Sequence, residues 1–149
     1  MFLKSEKLMS EIYLNREPVE WSVFPGGEIN MKQPKYECGI VTAKITDSEG
    51  LMALIMLSSA IITKETILDL AYVPYSRQDK LHNADDIFTL KVFCNLINSL
   101  NYYEVWITDP HSDVAPALLE NCGIIDTKDE VREIAIGNKY TLVAPDLGA

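Results

Sequence analysis

The sequence has only two histidines and three cysteines, and this scarcity excludes several kinds of site. An HExxH motif or a multi-histidine zinc site cannot be built from two histidines. The cysteines, Cys38, Cys94 and Cys122, form no CxxC pair, and their odd number favours a reduced, cytoplasmic protein over a disulfide-bonded one. The phosphate-binding loops GxxxxGK[ST] and GxGxxG are absent, as is the GxSxG nucleophile turn.

Positive charge is also scarce, because 13 basic residues stand against 22 acidic ones and the net charge is -9. This balance argues against nucleic acid as a partner, although a local arginine or a metal could still create an anion site. The longest apolar stretch, residues 51–62, is too short and too rich in serine to span a bilayer, and residues 1–7 do not resemble a signal peptide. The 149 residues, 48% of them hydrophobic, suit a globular domain with a real core.

Apolar segments of strand length alternate with segments of helical spacing. The predicted strands are 11–15, 19–24, 38–45, 67–73, 103–108 and 140–146, and the predicted helices are 46–62, 87–100 and 114–121. This alternation predicts an α/β fold, a mostly parallel sheet with helices on both faces. The first two strands form a hairpin that adds an antiparallel edge, and the apolar segments 123–126 and 133–136 stay unassigned.

The helical spacing also predicts which side chains face the core. The first helix begins with a capping box at residues 46–49. Its predicted inner stripe is Leu51, Leu54, Ile55, Ser58, Ile61 and Ile62, widened by Met52 and Met56. Asp85 or Asp86 is the predicted cap of the second helix, whose inner stripe is Ile87, Leu90, Cys94 and Ile97, flanked by Phe93 and Leu100. The stop of the third helix is predicted at residues 122–123.

Two polar loops, residues 71–86 and 109–113, directly follow buried strands. Open α/β sheets bind ligands at the carboxyl ends of their strands, so one edge should gather the polar side chains of Arg77, Gln78, Asp79, His111, Asp113 and Asp146. Arginine offers a planar fork suited to phosphate, and His111 with Asp146 could share a divalent ion such as Mg²⁺. Taken singly, Arg77 with Asp79 reads as a surface ion pair and His111 as a capping or core histidine. Taken together, the residues favour an anion site.

Four segments resemble motifs of one family, the ribose-phosphate pyrophosphokinases (phosphoribosyl pyrophosphate synthetases). Phe24-Pro-Gly-Gly-Glu28 resembles the FxDGE loop, and residues 73–80 resemble the PYxRQD segment. Asp109-Pro-His-Ser112 stands where the family has its aspartate-x-histidine metal loop, and residues 143–149 resemble VSPDxGA. The segments occur in the family's order and span nearly the whole chain.

The resemblance implies a type I phosphoribosyltransferase-like fold and an enzyme that makes phosphoribosyl pyrophosphate and AMP from Mg-ATP and ribose 5-phosphate. Phe24 would stack on adenine, Glu28 would hydrogen-bond the base, and Arg77 and Gln78 would hold the nucleotide. His111 and Asp146 would position Mg²⁺. The resemblance further implies a homo-oligomer in which the FxDGE loop reaches the nucleotide of a neighbouring subunit.

Two departures from the family pattern limit what the resemblance implies. The aspartate of FxDGE is Gly26 here. The acidic DDxxDTxGT loop for ribose phosphate and the loop with the catalytic lysine and arginine are absent. Residues 1–139 are therefore predicted to be the N-terminal domain and 140–149 the first strand of a truncated second domain. The chain is expected to be a fragment or half of a split protein, inactive alone. The alternatives are a non-catalytic, nucleotide-binding regulatory module and a structural oligomerisation domain.

Overall fold

A computed structural model describes residues 9–138 and 140–141. The strands are β1 (Glu11–Leu14), β2 (Glu17–Pro18), β3 (Trp21–Val23), β4 (Ile29–Met31), β5 (Ile40–Lys44), β6 (Ile67–Tyr72), β7 (Glu104–Thr108) and β8 (Cys122–Ile125). The helices are α1 (Ser48–Ala60), α2 (Thr89–Ser99), α3 (Val114–Leu118) and α4 (Lys128–Gly137), with a 3-10 turn at Thr63–Glu65. No helix in the described ranges combines the length and apolarity needed to cross a membrane.

The main sheet has six strands in the order β2-β1-β5-β6-β7-β8. Strands β5 to β8 run parallel, while β1 and β2 are antiparallel and form one edge. The predicted fold class, a mostly parallel α/β sheet with an antiparallel edge hairpin, is confirmed. Alternate side chains of the central strands are fully buried, and the fully buried ones include Val41, Ala43, Leu68, Leu70 and Ile107.

The strand predicted at 19–24 is shorter and pairs differently from the prediction. The partner of β1 is β2, across a two-residue turn at Asn15 and Arg16, whose φ angles of 53° and 67° are left-handed. β3 pairs instead with β4 in a separate hairpin. The Val19 N–H still donates to the Ile12 carbonyl of β1 (2.8 Å), and the chain starts the second hairpin after this bond.

Helix α1 begins one residue later than the predicted capping box. Asp47, not Thr46, is the N-cap, and its carboxylate accepts a 2.9 Å hydrogen bond from the Gly50 N–H. The inner face carries Gly50, Ala53, Leu54, Leu57 and Ser58, while Met52 is exposed. Glycine faces inward at position 50 because a Cβ there would lie 2.1 Å from the Ser10 Cβ. A pattern built on large apolar residues misses this close approach.

Helix α2 also begins later than predicted, at Thr89. The Asp86 carboxylate accepts hydrogen bonds from the backbone N–H groups of His82 (3.1 Å) and Asn83 (2.8 Å), so it closes the preceding turn and does not cap the helix. Ile87 consequently lies outside the helix and is 75% exposed. The rest of the predicted stripe is correct, because the buried residues are Leu90, Phe93, Cys94 and Ile97.

The last part of the described chain resolves the unassigned segments. Residues 122–123 do not end a helix but begin β8, which pairs in parallel with β7. The segment 133–136 lies within α4. Residues 140–141 are in no strand, and the rest of the predicted strand 140–146 lies outside the described residues, as does Asp146.

A glycine at the start of β5 makes room for the side chain that joins β1 to this strand. Asn15 donates to the Cys38 carbonyl (3.1 Å) and accepts from the Ile40 N–H (3.0 Å). Gly39 has φ +141°, and a Cβ there would lie 2.0 Å from the Asn15 Oδ1 atom. Only glycine therefore fits between the two strands at this point.

We expect Gly39→Ala to destabilise the protein by about 2 kcal/mol or more, since the new methyl group both strains the backbone and displaces Asn15. Urea unfolding followed by circular dichroism measures the change. Gly137→Ala is the matched control, because no atom lies within 4 Å of a Cβ at that position. Equal midpoints for the two variants would contradict this account of Gly39.

A buried hydroxyl pair links α1 to the start of β7. Ser58 donates to the Leu54 carbonyl (2.7 Å), and its Oγ lies 2.7 Å from the Tyr102 hydroxyl, which therefore acts as the donor between the two side chains. Burial raises the pKa of Tyr102 from 10.0 to about 12. Burial likewise raises the pKa of Cys94 from 9.0 to about 11.

Folding stability should fall in alkaline solution, because both groups ionise more readily in the unfolded chain. Their contribution is complete below about pH 9 and is lost as the pH rises through the folded-state pKa values of about 11 and 12. Tyr102→Phe should reduce the loss of folding stability above about pH 10, where Tyr102 ionises in the unfolded chain. Urea midpoints between pH 8 and pH 11.5 measure it, and a wild-type midpoint independent of pH would refute the prediction.

Candidate functional site

The loop after β6 is shaped by two tight turns. The Ser76 N–H donates to the Val73 carbonyl (3.3 Å) and the Gln78 N–H to the Tyr75 carbonyl (2.8 Å), with Tyr75 at φ 64°. The Tyr75 ring packs against Phe93 of α2, with ring centroids 6.1 Å apart. The apolar strand and Pro74 thus present a polar loop that is anchored to the core by one aromatic contact.

Arg77 and Gln78 line a cavity of about 400 Å³ between this loop and the start of α1. The helix side of the cavity is formed by Thr46, Asp47, Ser48 and Leu51. The Asp47 carboxylate caps this helix by accepting from the Gly50 N–H, so the positive side chain beside the cavity is that of Arg77. Gln78 accepts a hydrogen bond from the Thr89 hydroxyl at the start of α2, which holds its side chain. Arg77 is exposed and its guanidinium can reach a ligand in the opening.

The loop after β7 meets the loop after β6 through Asp79. A hydrogen bond from the Ser112 side chain is the main cause that holds the pKa of Asp79 below its ordinary value, and the nearby His111 lowers it further. The structure therefore brings the two predicted loops together at one edge of the sheet. The sequence analysis assigned no role to Asp79. The only signal in the sequence was its position in a polar loop, between Gln78 and Lys80.

Asp109, the aspartate of the aspartate-x-histidine segment, is engaged within the fold. With φ 42°, it turns its carboxylate toward the start of α4, where it accepts from the Thr127 N–H (3.1 Å) and from the Thr127 hydroxyl. These two bonds lower the pKa of Asp109. Asp113 stands at the start of α3 without capping it through its side chain.

Phe24 and Glu28 lie at the tip of the β3–β4 hairpin and do not line the cavity beside Arg77. The tip is closed by hydrogen bonds from the Phe24 N–H to the Glu28 carbonyl and from the Gly27 N–H to the Phe24 carbonyl, both 2.8 Å. Phe24 is 53% exposed. The hairpin contacts α1 through Trp21, whose indole N–H donates a hydrogen bond to Glu49 (2.8 Å).

The described residues contain no group of three or more histidine, cysteine, aspartate or glutamate side chains that could hold a metal ion. His111 is exposed beside Asp79, and Asp146 is outside the described residues. Mg²⁺ takes few protein ligands and keeps waters and substrate phosphates. Of the predicted pair only His111 lies in the described part of the chain, and a single imidazole is too small a ligand set for a resident magnesium ion.

The mostly parallel sheet, with polar loops at its carboxyl edge, is an α/β fold of the phosphoribosyltransferase type. No family model matches the chain. Over 126 residues it is 26% identical to ribose-phosphate pyrophosphokinase 2 of Archaeoglobus fulgidus, covering 85% of this chain and 45% of that protein. The crystal structure of phosphoribosylpyrophosphate synthetase from Mycobacterium smegmatis superposes with a TM-score of 0.68 at 20% identity, covering 80% of this chain and 43% of that one.

The resemblance to the ribose-phosphate pyrophosphokinases is therefore confirmed at the level of overall sequence and fold. It spans less than half the length of the archaeal relative and of the mycobacterial structure.

Removing the Ser112 hydroxyl tests whether the two loops are joined as described. Ser112→Ala should raise the pKa of Asp79 toward its ordinary value, because the donor that stabilises the carboxylate is lost. Carbon-13 NMR titration of the Asp79 carboxyl group measures the change. Ser99→Ala is the control, since its hydroxyl bonds only within α2. An unchanged Asp79 titration in Ser112→Ala would disprove the contact.

Proposed function

We propose that the chain is the nucleotide-binding half of a ribose-phosphate pyrophosphokinase. The complete enzyme transfers pyrophosphate from Mg-ATP to the C1 hydroxyl of ribose 5-phosphate and releases AMP, for nucleotide biosynthesis. One observation carries the proposal: Arg77 and Gln78 line a cavity at the start of α1, while Asp79 bonds to the loop that holds His111. The relationship to the archaeal pyrophosphokinase supports the same assignment.

Each of these side chains has a task in the proposed site. The Arg77 guanidinium pairs with phosphate oxygens. Gln78, held by Thr89, gives a fixed polar contact. We assign His111, which lies near Asp79, to the magnesium ion of the Mg-ATP substrate, whose charge would neutralise the phosphates. Transfer of this type depends on positioning and charge neutralisation, without a covalent intermediate.

The remaining parts of the reaction are assigned to residues beyond this half. We propose residues 1–139 as the N-terminal domain and 140–149 as the first strand of a second domain, with Asp146 as a further magnesium ligand. The ribose-phosphate site and the catalytic groups belong to that second domain, so the chain alone should bind Mg-ATP without turning it over.

We propose a homo-oligomer. Phe24 and Glu28 are outside the lining of the cavity beside Arg77, which supports an arrangement in which they serve a neighbouring copy. A second copy that places its hairpin over the cavity would supply the adenine contacts. The cysteines, all free, are consistent with the cytoplasmic location that we propose.

A non-catalytic regulatory or oligomerisation module related to this enzyme is the second candidate. It is favoured by Gly26, which stands at the third position of the Phe24–Glu28 segment, where the FxDGE loop has its aspartate. The two candidates separate in an assay that adds the chain to ATP, Mg²⁺ and ribose 5-phosphate, with and without the missing half. AMP that forms only when the second half is present supports the enzyme, and no AMP under either condition supports the module.

Arg77→Ala should weaken Mg-ATP binding at least about tenfold, because a charge-assisted contact to phosphate is lost. Isothermal titration calorimetry measures the dissociation constant of the wild-type chain and the variant. Arg132→Ala is the control, since Arg132 pairs with Asp129 on the exposed surface of α4. Equal affinities of Arg77→Ala and wild type would contradict the proposed site.

A further inference from the structure

A second and larger cavity opens at the opposite end of the sheet, near the amino ends of β7 and β8. Its volume is about 640 Å³, against about 400 Å³ beside Arg77. The lining includes the side chains of Lys64, Asn101, Tyr103, Glu104, Trp106 and Glu120. No group in this cavity takes part in the nucleotide site, because the two cavities share no residue.

Trp106 is held flat on the floor of this cavity. A Cβ on Gly123 would lie 2.7, 2.8 and 2.9 Å from three atoms of the indole ring, Cδ2, Cε3 and Cε2. The near-equal distances show that the ring lies face-on over the glycine backbone. The indole N–H donates to the Glu104 Oε2 atom at 2.8 Å, which fixes the ring within its plane. The indole is therefore oriented by two contacts within the protein, one with the Gly123 backbone and one with the Glu104 carboxylate.

The charge around this indole is negative. Glu104 uses one oxygen for the indole, and Glu120 is exposed at the same cavity. Within the described chain neither carboxylate forms an ion pair, and Lys64 is the one basic residue in the lining. The chain as a whole carries a net charge of -9, which attracts cations to any such site.

We infer that this cavity binds a guanidinium group. A guanidinium is planar and weakly hydrated, so it stacks on an aromatic face and forms paired hydrogen bonds with a carboxylate. A flat indole with Glu104 at its edge and Glu120 nearby offers both interactions. A compact ammonium uses the charge but gains less from a flat surface. The guanidinium can belong to a free small molecule or to an arginine side chain of another protein.

The test uses Trp21→Phe as background, because Trp106 is then the sole tryptophan and reports on the cavity. Agmatine, a small guanidinium, should change its fluorescence saturably, with half-saturation at or below about 1 mM. Cadaverine, which carries the same charge on two ammonium groups, should bind several-fold more weakly. A blocked Gly-Arg-Gly peptide distinguishes the sources: tighter binding than agmatine indicates a protein partner, and weaker binding a free ligand.

Glu104→Gln combined with Glu120→Gln should weaken agmatine binding at least about tenfold, since the charge is removed while an amide oxygen still accepts from the indole. Glu130→Gln combined with Glu133→Gln makes the same charge change on α4, and should leave agmatine binding as it was. Equal binding of agmatine and cadaverine, no saturable fluorescence change, or equal weakening by the two double variants would overturn the inference.

Discussion

The parallel pairing of β6 between β5 and β7 is the constraint on which the rest of the structure depends. Leu68 pairs with Val41 on one side and Val105 on the other, and Leu70 pairs with Ala43 and Ile107. Both leucines are fully buried. A shift of the pairing by one residue would turn these buried side chains to the opposite face of the sheet. The register of β6 is therefore strongly determined. It fixes which ends of the strands are neighbours, and hence which loops meet.

The central parallel strands and the meeting of their loops could be predicted from the sequence. The near-continuous apolar run of β6 indicated a buried parallel strand, and the loops after β6 and β7 then had to share an edge. Asp79 and Ser112 make contact there, so the convergence is real. The identity of the contact was not predictable, since any of several polar side chains on the two loops could have formed it.

The predicted starts of α1 and α2 were wrong where a side-chain contact with another segment determines where the helix begins. Asp86 was predicted as a possible helix cap, but its carboxylate instead accepts hydrogen bonds from the backbone N–H groups of His82 and Asn83. Residues 46–49 match a capping box, yet the Ser10 hydroxyl donates to Asp47 and lies against Gly50, so the helix begins around that contact. Periodicity does not register such contacts, because they depend on residues brought close only by folding.

The two ends of the sheet differ in chemistry as well as in position. The carboxyl end presents the basic side chains of Arg77 and His111, which we propose for phosphate and its magnesium ion, beside the acidic Asp47 and Asp79. The amino end presents Glu104 and Glu120 around a flat indole, a set that suits an organic cation. A chain with strong net negative charge can concentrate its positive groups at one edge and still bind an anion there, because the local field decides binding.

The hairpin tip shows how the departure at Gly26 alters the local arrangement. A Cβ on Gly26 would lie 2.8 Å from the Glu28 Oε2 atom, so the Glu28 carboxylate folds back over the glycine. An aspartate at position 26 would place two like charges together and push Glu28 outward. With glycine at position 26, the Glu28 carboxylate occupies the space that the side chain of residue 26 would otherwise take. The tip therefore keeps an acidic acceptor beside Phe24, but with one negative charge instead of two and without the repulsion that would extend Glu28.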